Sequence, residues 1–182
     1  MRGCVKEWKL IWNGGENNMS LERAKAYLEQ YGLGERIQEF PVSSATVELA
    51  AQALCCEPKR IAKTLSFLVD GQAVLIVAAG DAKIDNPAYK ACFHTKAKML
   101  TPDEVEEMVG HAVGGVCPFG VKEGVSVYLD ESLRRFDTIF PACGSSNSAI
   151  ELTIPELERY SGYREWVDVC KGWREETVQP EA

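Results

Sequence analysis

The chain has 182 residues, of which 46% are hydrophobic and 26% charged, and carries a net charge of −7. That length and balance fit one folded domain with one sizeable core. No apolar run approaches the roughly 18 residues of a membrane-spanning helix, and the acidic balance argues against a protein that grips long nucleic-acid duplexes, DNA included.

Residues 1–18 show neither helical nor strand periodicity, and no apolar stretch of signal-peptide type. A second methionine, Met19, stands directly before Ser20-Leu21-Glu22, a capped helix start. Gly14-Gly15-Glu16 is encodable by a purine-rich ribosome-binding sequence. We read Met19 as the true start and residues 1–18 as a non-native or disordered leader; an intact mass of the natural protein that includes Met1 overturns this.

Leu21, Ala24, Tyr27, Leu28 and Tyr31 recur at helical spacing up to Gly32. Residues 36–40 read as a short strand. Residues 46–54 read as a second helix starting near Ser44 and ending before Pro58. Residues 63–69 and 73–79 are two apolar runs joined by Asp70-Gly71-Gln72, a hairpin signature. A short helix over 87–92 and a short strand over 96–100 follow. Thr101-Pro102-Asp103-Glu104 is a capping box with proline at the first helical position, which predicts a helix to about Val109.

After a glycine-containing loop, 110–124, strands are expected at 125–129, 137–140 and 149–152. Thr153-Ile154-Pro155-Glu156 starts another helix. Trp166, Val169, Cys170 and Trp173 stand at helical spacing, so residues 163–182 read as a C-terminal helix and tail behind a domain of residues 19–162. The pattern is a single α/β (mixed α+β) domain with a mixed, hairpin-rich sheet.

Four groups of residues have chemical potential. Lys63 lies among apolar neighbours at a strand start; it reads either as a point-charge contact to phosphate or as a lysine snorkelling at a strand end. The loop Gly114-Gly115-Val116-Cys117-Pro118-Phe119-Gly120 frees its backbone to approach a ligand or an oxyanion, and is equally a tight structural turn. Gly80-Asp81-Ala82-Lys83-Ile84-Asp85 is a site rim or a polar turn before a helix cap. Cys117 beside His94 or His111 would make a nucleophilic pair, though no cysteine-hydrolase signature surrounds it. The seven cysteines form no CxxC pair, which speaks for reduced thiols in a cytoplasmic protein and against a structural zinc. Between Lys59 and Lys98, seven bases face three acids, a local basic stretch on an acidic chain.

Taken together, Arg60-Ile61-Ala62-Lys63-Thr64-Leu65, the Gly80–Asp85 segment, the Gly114–Gly120 loop and Ile150-Glu151-Leu152 resemble the YbaK/EbsC family over residues 19–160. That family includes the editing domain inserted in bacterial prolyl-tRNA synthetases and its free-standing relatives. The resemblance implies a mixed, partly barrel-like sheet with surrounding helices. It also implies hydrolysis of the ester joining a wrong, small amino acid to the 3′ end of a tRNA of proline or related type. Lys63 matches the lysine that contacts the terminal nucleotide. Gly114, Gly115 and Pro118 match the loop whose backbone holds the aminoacyl group and the attacking water. Thr64, Asp81, Lys83, Val116, Cys117, Phe119, Gly144, Ser145 and Ser146 are the implied substrate contacts. No cofactor or metal is implied, and the partners are the mischarged acceptor end and a synthetase. Ala142 and Ala149 replace residues that are commonly polar or charged in the family, which predicts a smaller or less polar pocket wall. A non-catalytic module of the same fold, binding an amino acid, nucleotide or tRNA, is the alternative reading.

Overall fold

The computed structural model describes residues 18–174. The expected leader, Asn18 apart, lies outside the described residues. Helix α1 (Asn18–Glu29) starts one residue ahead of Met19 and turns Leu21, Ala24 and Leu28 inward. Strand β1 (Gln38–Glu39) precedes helix α2 (Val47–Leu54). The cap of α2 is Thr46, whose side chain accepts from Leu49 N at 3.2 Å, so the helix starts later than Ser44.

Strands β2 (Ile61–Val69) and β3 (Gln72–Ala79) form the expected hairpin. Its turn residues Asp70 and Gly71 both have positive φ, 49° and 79°, as a two-residue turn matching strand twist requires. The run Leu75–Ala79 is fully buried, which makes β3 the centre of the core. Each such Leu or Ile side chain removed from water contributes about 1.5–3 kcal/mol.

Strand β4 (Lys83–Ile84) leads into α3 (Asn86–Phe93), capped by the Asp85 side chain on Ala88 N at 3.1 Å. Helix α4 (Pro102–Met108) carries both hydrogen bonds of the Thr101–Glu104 capping box. Strands β5 (Ser126–Asp130), β6 (Thr138–Pro141), β7 (Ser148–Ala149) and β8 (Leu152–Thr153) follow. Helix α5 (Ile154–Tyr160) has the second full capping box, and β9 (Glu165–Val167) and β10 (Cys170–Lys171) close the described chain.

Six strands form one mixed sheet in the order β8-β6-β2-β3-β5-β9, curled into a half-barrel. The β2–β3 and β6–β8 pairs are antiparallel, and β2–β6, β3–β5 and β5–β9 are parallel. Two short ladders, β1–β7 and β4–β10, tie loops to this sheet. The mixed α+β architecture is the one expected.

Three local expectations are corrected. Residues 163–173 do not form a C-terminal helix: β9 extends the main sheet beside β5, and β10 pairs with β4. The buried Asp130 carboxylate captures Val169 N at 3.0 Å, and Arg164 N reaches Val127 O at 2.8 Å, so strand pairing overrides the helical spacing. The strand expected at 96–100 is a single Phe67–Met99 bridge, with Leu68 N bonded to Lys98 O and Leu100 N to Ser66 O. The strand expected at 149–152 is split between β7 and β8, which belong to different sheets.

No disulfide joins the six described cysteines. Among the described residues, no helix is long and apolar enough to cross a membrane.

Candidate functional site

A cleft of about 470 Å³ opens between the start of α2, the first half of β2, the Met99–Leu100 bridge, the 113–116 loop and the 140–149 segment. Most of its lining is apolar. Hydroxyls come from Ser44, Thr46, Thr64, Ser66, Ser145 and Ser148. Lys63 is the one ionisable side chain in the lining among the described residues.

One wall is built around that charge. The Lys63 ammonium donates to Gly80 O at 3.0 Å and to Ala82 O. Partial burial pulls its pKa below the ordinary lysine value, with the nearby Cys170 and Asp81 opposing that shift. The two carbonyls are fixed from behind. Arg135 grips Asp81 through two bonds, of 3.0 and 2.5 Å, and also donates to Trp173 O at 3.0 Å. Ala79 N donates to the buried Ser132 hydroxyl at 3.1 Å. Asp81 and Lys83 therefore stand outside the lining: Asp81 orders the turn that seats Lys63, and Lys83 is exposed on β4.

The facing wall is built of backbone. Gly114 lies in the lining with φ of +90°, a conformation that strains any side-chain-bearing residue. Along this loop the N–H groups alternate in use. Gly115 N donates to Ala112 O at 3.1 Å and Cys117 N to His111 Nδ1 at 3.3 Å. Gly114 and Val116 make no hydrogen bond among the described residues, and both line the cleft.

The back of this loop rests on a stack. Gly144 N donates to Gly115 O at 3.0 Å, and a Cβ on Gly115 would meet Gly144 C at 2.4 Å. A Cβ on Gly144 would in turn meet Ser20 O of α1 at 2.2 Å. The Ser20 hydroxyl bridges the stack, accepting from Ala112 N at 3.1 Å and donating to Gly144 O. Gly115, Pro118, Phe119 and Gly144 are thus buried supports of the loop rather than parts of the surface a ligand would meet.

Cys117 and His111 do touch, with Sγ 3.8 Å from Nδ1. Both are fully buried and neither lines the cleft. Burial pushes the Cys117 thiol up to about 12 and the His111 imidazole down to about 4, so both are neutral at ordinary pH. The pair is a packed support and not a nucleophile with its base.

Ser145 lies in the lining, with its hydroxyl 2.7 Å from Ser148 Oγ and 2.9 Å from Asn147 Oδ1. Ser146 stands outside the lining, and its carbonyl accepts from Ser44 N at 2.5 Å and Ser44 Oγ at 3.0 Å. Ala142 and Ala149 pair across a bridge and present small apolar faces to the cleft. Thr64 Oγ1 is buried and has no hydrogen-bond partner among the described residues.

Of the residues singled out from the sequence, the cleft thus collects Lys63, Thr64, Gly114, Val116 and Ser145, with Ala142 and Ala149 in its wall. Sequence reasoning missed Ser44, Thr46, Ser66 and Ser148 in the lining, and Ser20, Arg135 and His111 as supports. The run Ser43-Ser44-Ala45-Thr46 was visible only as a helix start, and nothing local couples it to residues 145–149.

Residues 42–160 match the family model described as the aminoacyl-tRNA editing domain. The chain belongs to that family. The YbaK-type resemblance carried by the Lys63 and Gly114 segments is the same assignment. The chain is 54% identical to the uncharacterized protein YwhH of Bacillus subtilis (strain 168), over 85% of this chain and 99% of that one. It is 27% identical to the proline–tRNA ligase of Geobacillus thermodenitrificans (strain NG80-2) over 68% of this chain, but spans only 22% of the ligase. A solved structure provisionally described as a trans-editing enzyme for prolyl tRNA synthetase superposes with a TM-score of 0.76 at 31% identity, covering 84% of this chain and 98% of that one. The hypothetical protein APE2540 superposes with a TM-score of 0.73 at 25% identity over 82% of this chain and 99% of the other. Membership and these neighbours support an editing function. The family match starts at residue 42, so α1, with Ser20, falls outside it although it completes the back of the loop.

Proposed function

We propose that the protein is a free-standing aminoacyl-tRNA deacylase that hydrolyses the ester between a small wrong amino acid and the 3′ end of a tRNA of proline or related type. The carrying observation is the cleft itself: one seated ammonium faces a backbone loop with two unengaged N–H groups, and among the described residues the lining contains no carboxylate, imidazole or thiol. Such a site acts by positioning and electrostatics. Lys63 takes the phosphate or sugar edge of the terminal nucleotide as a point charge. Gly114 N and Val116 N serve as donors to the ester carbonyl oxygen as it gains negative charge. A backbone donor placed so contributes on the order of 3 kcal/mol to the reaction barrier. Water adds to the carbonyl carbon and the bond to the ribose 3′-oxygen breaks; one of the water's protons passes to that oxygen by way of the neighbouring 2′-hydroxyl, and the other is released to solvent. The amino acid leaves as its carboxylate.

The hydroxyls of Ser145, Ser148 and Thr64 and the small faces of Ala142 and Ala149 shape the amino-acid end. A pocket of this kind rejects by size, because one methylene separates ligands by only about 1–3 kcal/mol. A second, hydrolytic site is the way to compound such small differences. The decisive experiment is a deacylation screen over tRNAs charged with Ala, Ser, Thr, Cys and Pro, using the wild type and Lys63→Ala. Release of at least one small amino acid is expected, reduced at least 100-fold in Lys63→Ala with the melting temperature retained. Equal release by both proteins overturns the reading. Thermal stabilisation by an amino acid or nucleotide, with no release from any charged tRNA, establishes the binding module instead.

A further inference from the structure

The basic stretch from Lys59 to Lys98 is not one surface. Lys59 pairs with Glu57 at 3.1 Å, Arg60 with Glu151 at 3.2 Å, and Lys63 is seated on its two carbonyls. Lys83 sits on β4 opposite Lys171, whose ammonium pairs with Asp85. Lys98 lies near Glu104, whose carboxyl is held below the usual range first by its backbone and side-chain bonds to Thr101 and then by Lys98. Lys90 and Lys96 remain, both exposed and both without an ion pair among the described residues.

These two lysines line one open groove of about 600 Å³ together with Asn86, Pro87 and Ala97. No acid lines it. The nearest carboxylate on the same helix, Asp85, is engaged by Ala88 N and Lys171. One chain segment borders both groove and cleft: Lys96 and Ala97 wall the groove, and Met99 and Leu100, one residue on, wall the cleft. In extended chain the step from Ala97 to Met99 covers about 7 Å.

We propose that the Asn86–Lys90–Lys96 groove holds the sugar–phosphate backbone of the tRNA acceptor strand behind its terminal nucleotide. This rests on the reading of the cleft as the site of the 3′ end. The groove offers two ammonium groups as point charges and one side-chain amide as a sugar or phosphate partner, a set that positions a strand without reading its bases. It also explains how a chain of net charge −7 meets a polyanion, through a small patch leading to the reacting end.

The test compares two substrates in the double variant Lys90→Ala/Lys96→Ala. On mischarged tRNA, KM is expected to rise about tenfold. The slope of log kcat/KM against log salt becomes shallower by about 1.4, at roughly 0.7 per phosphate contact on a single strand. On the corresponding 3′-aminoacyl-adenosine, which has no preceding phosphate, both kcat and KM are expected to stay at wild-type values. An unchanged KM and salt slope on tRNA overturns the proposal, and so does an equal loss on both substrates. Should the wild type cleave no ester, uncharged tRNA binding by fluorescence anisotropy decides separately. Weaker binding with the shallower slope in the double variant upholds the groove. Equal binding by both proteins, or none by the wild type, overturns it.

Discussion

The two walls of the cleft achieve order by opposite means. The Lys63 wall concentrates charge: an ammonium on a central strand, two carbonyls beneath it, and an Arg135–Asp81 pair that holds those carbonyls in place. The Gly114 wall contains no charge at the surface of the cleft. It is a backbone arc stacked on Gly144, which is stacked on α1, with a buried neutral histidine accepting one of its N–H groups. A charge suits recognition of a phosphate that is present throughout the reaction. Fixed backbone dipoles suit a negative charge that exists only in the transition state. Under the proposed function, effects on KM are expected at one wall and effects on kcat at the other.

The comparison breaks most sharply at Gly114. A side chain there adopts a strained φ of +90° and meets Ser146 Cβ at 3.2 Å. Gly114→Ala should lower kcat about 100-fold with KM nearly unchanged, the cost of one displaced oxyanion donor. If KM alone rises, the loop binds rather than reacts. Lys63→Arg tests the other wall. A planar guanidinium does not reproduce a compact ammonium on two carbonyls, so KM should rise about tenfold with kcat little altered, near the value of one charge-assisted hydrogen bond. Steady-state deacylation kinetics separate the two outcomes.

Ser20→Ala asks whether the arc needs its support. It leaves Ala112 N and Gly144 O without their hydroxyl partner, which should cost about 1–3 kcal/mol in urea unfolding and lower kcat about fivefold. His111 sharpens the same point through pH. Its folded pKa, about 4, lies below the ordinary 6.5 because of burial first and Arg23 second. Between these values the unfolded chain binds the extra proton, so stability falls as pH falls from about 6.5 to 4 and is fully present above 6.5. The neutral histidine accounts for about 3 kcal/mol over that window, and His111→Gln should flatten this limb in urea unfolding followed against pH. The smallest effect is expected at Cys117→Ser, whose turnover should remain within about twofold of wild type. A large loss there would restore the cysteine to the chemistry.

The features legible in the sequence were those made by contiguous residues. The Thr101 capping box, the helix start at Thr153, the Asp70-Gly71 turn and the apolar run of β3 depend on near neighbours, and the structure has each of them. Lys63 and Gly114 were legible as unusual residues in their local settings. The tail was not, because Trp166 and Val169 reach their places through a vacant edge of β5 and a carboxylate at Asp130, neither of which leaves a local trace. The same holds for the site. Ser44 enters the lining through its bonds to Ser146, and Asp81 leaves it through Arg135, 54 residues away. Long-range hydrogen bonds decided membership in both cases.

The position of α1 bears on how this domain is handled as a module. The family match covers residues 42–160, which would be the natural limits for a graft into another protein. Cutting there would remove the helix against which Gly144 and Gly120 are pressed, and the strands β9 and β10 that brace the seat of Lys63. The portable unit is therefore longer at both ends, from Asn18 to at least Trp173, whose carbonyl holds Arg135. A tag or fusion partner joined directly ahead of Ser20 would sit one residue from the hydroxyl that ties Ala112 to Gly144 behind the Gly114 loop.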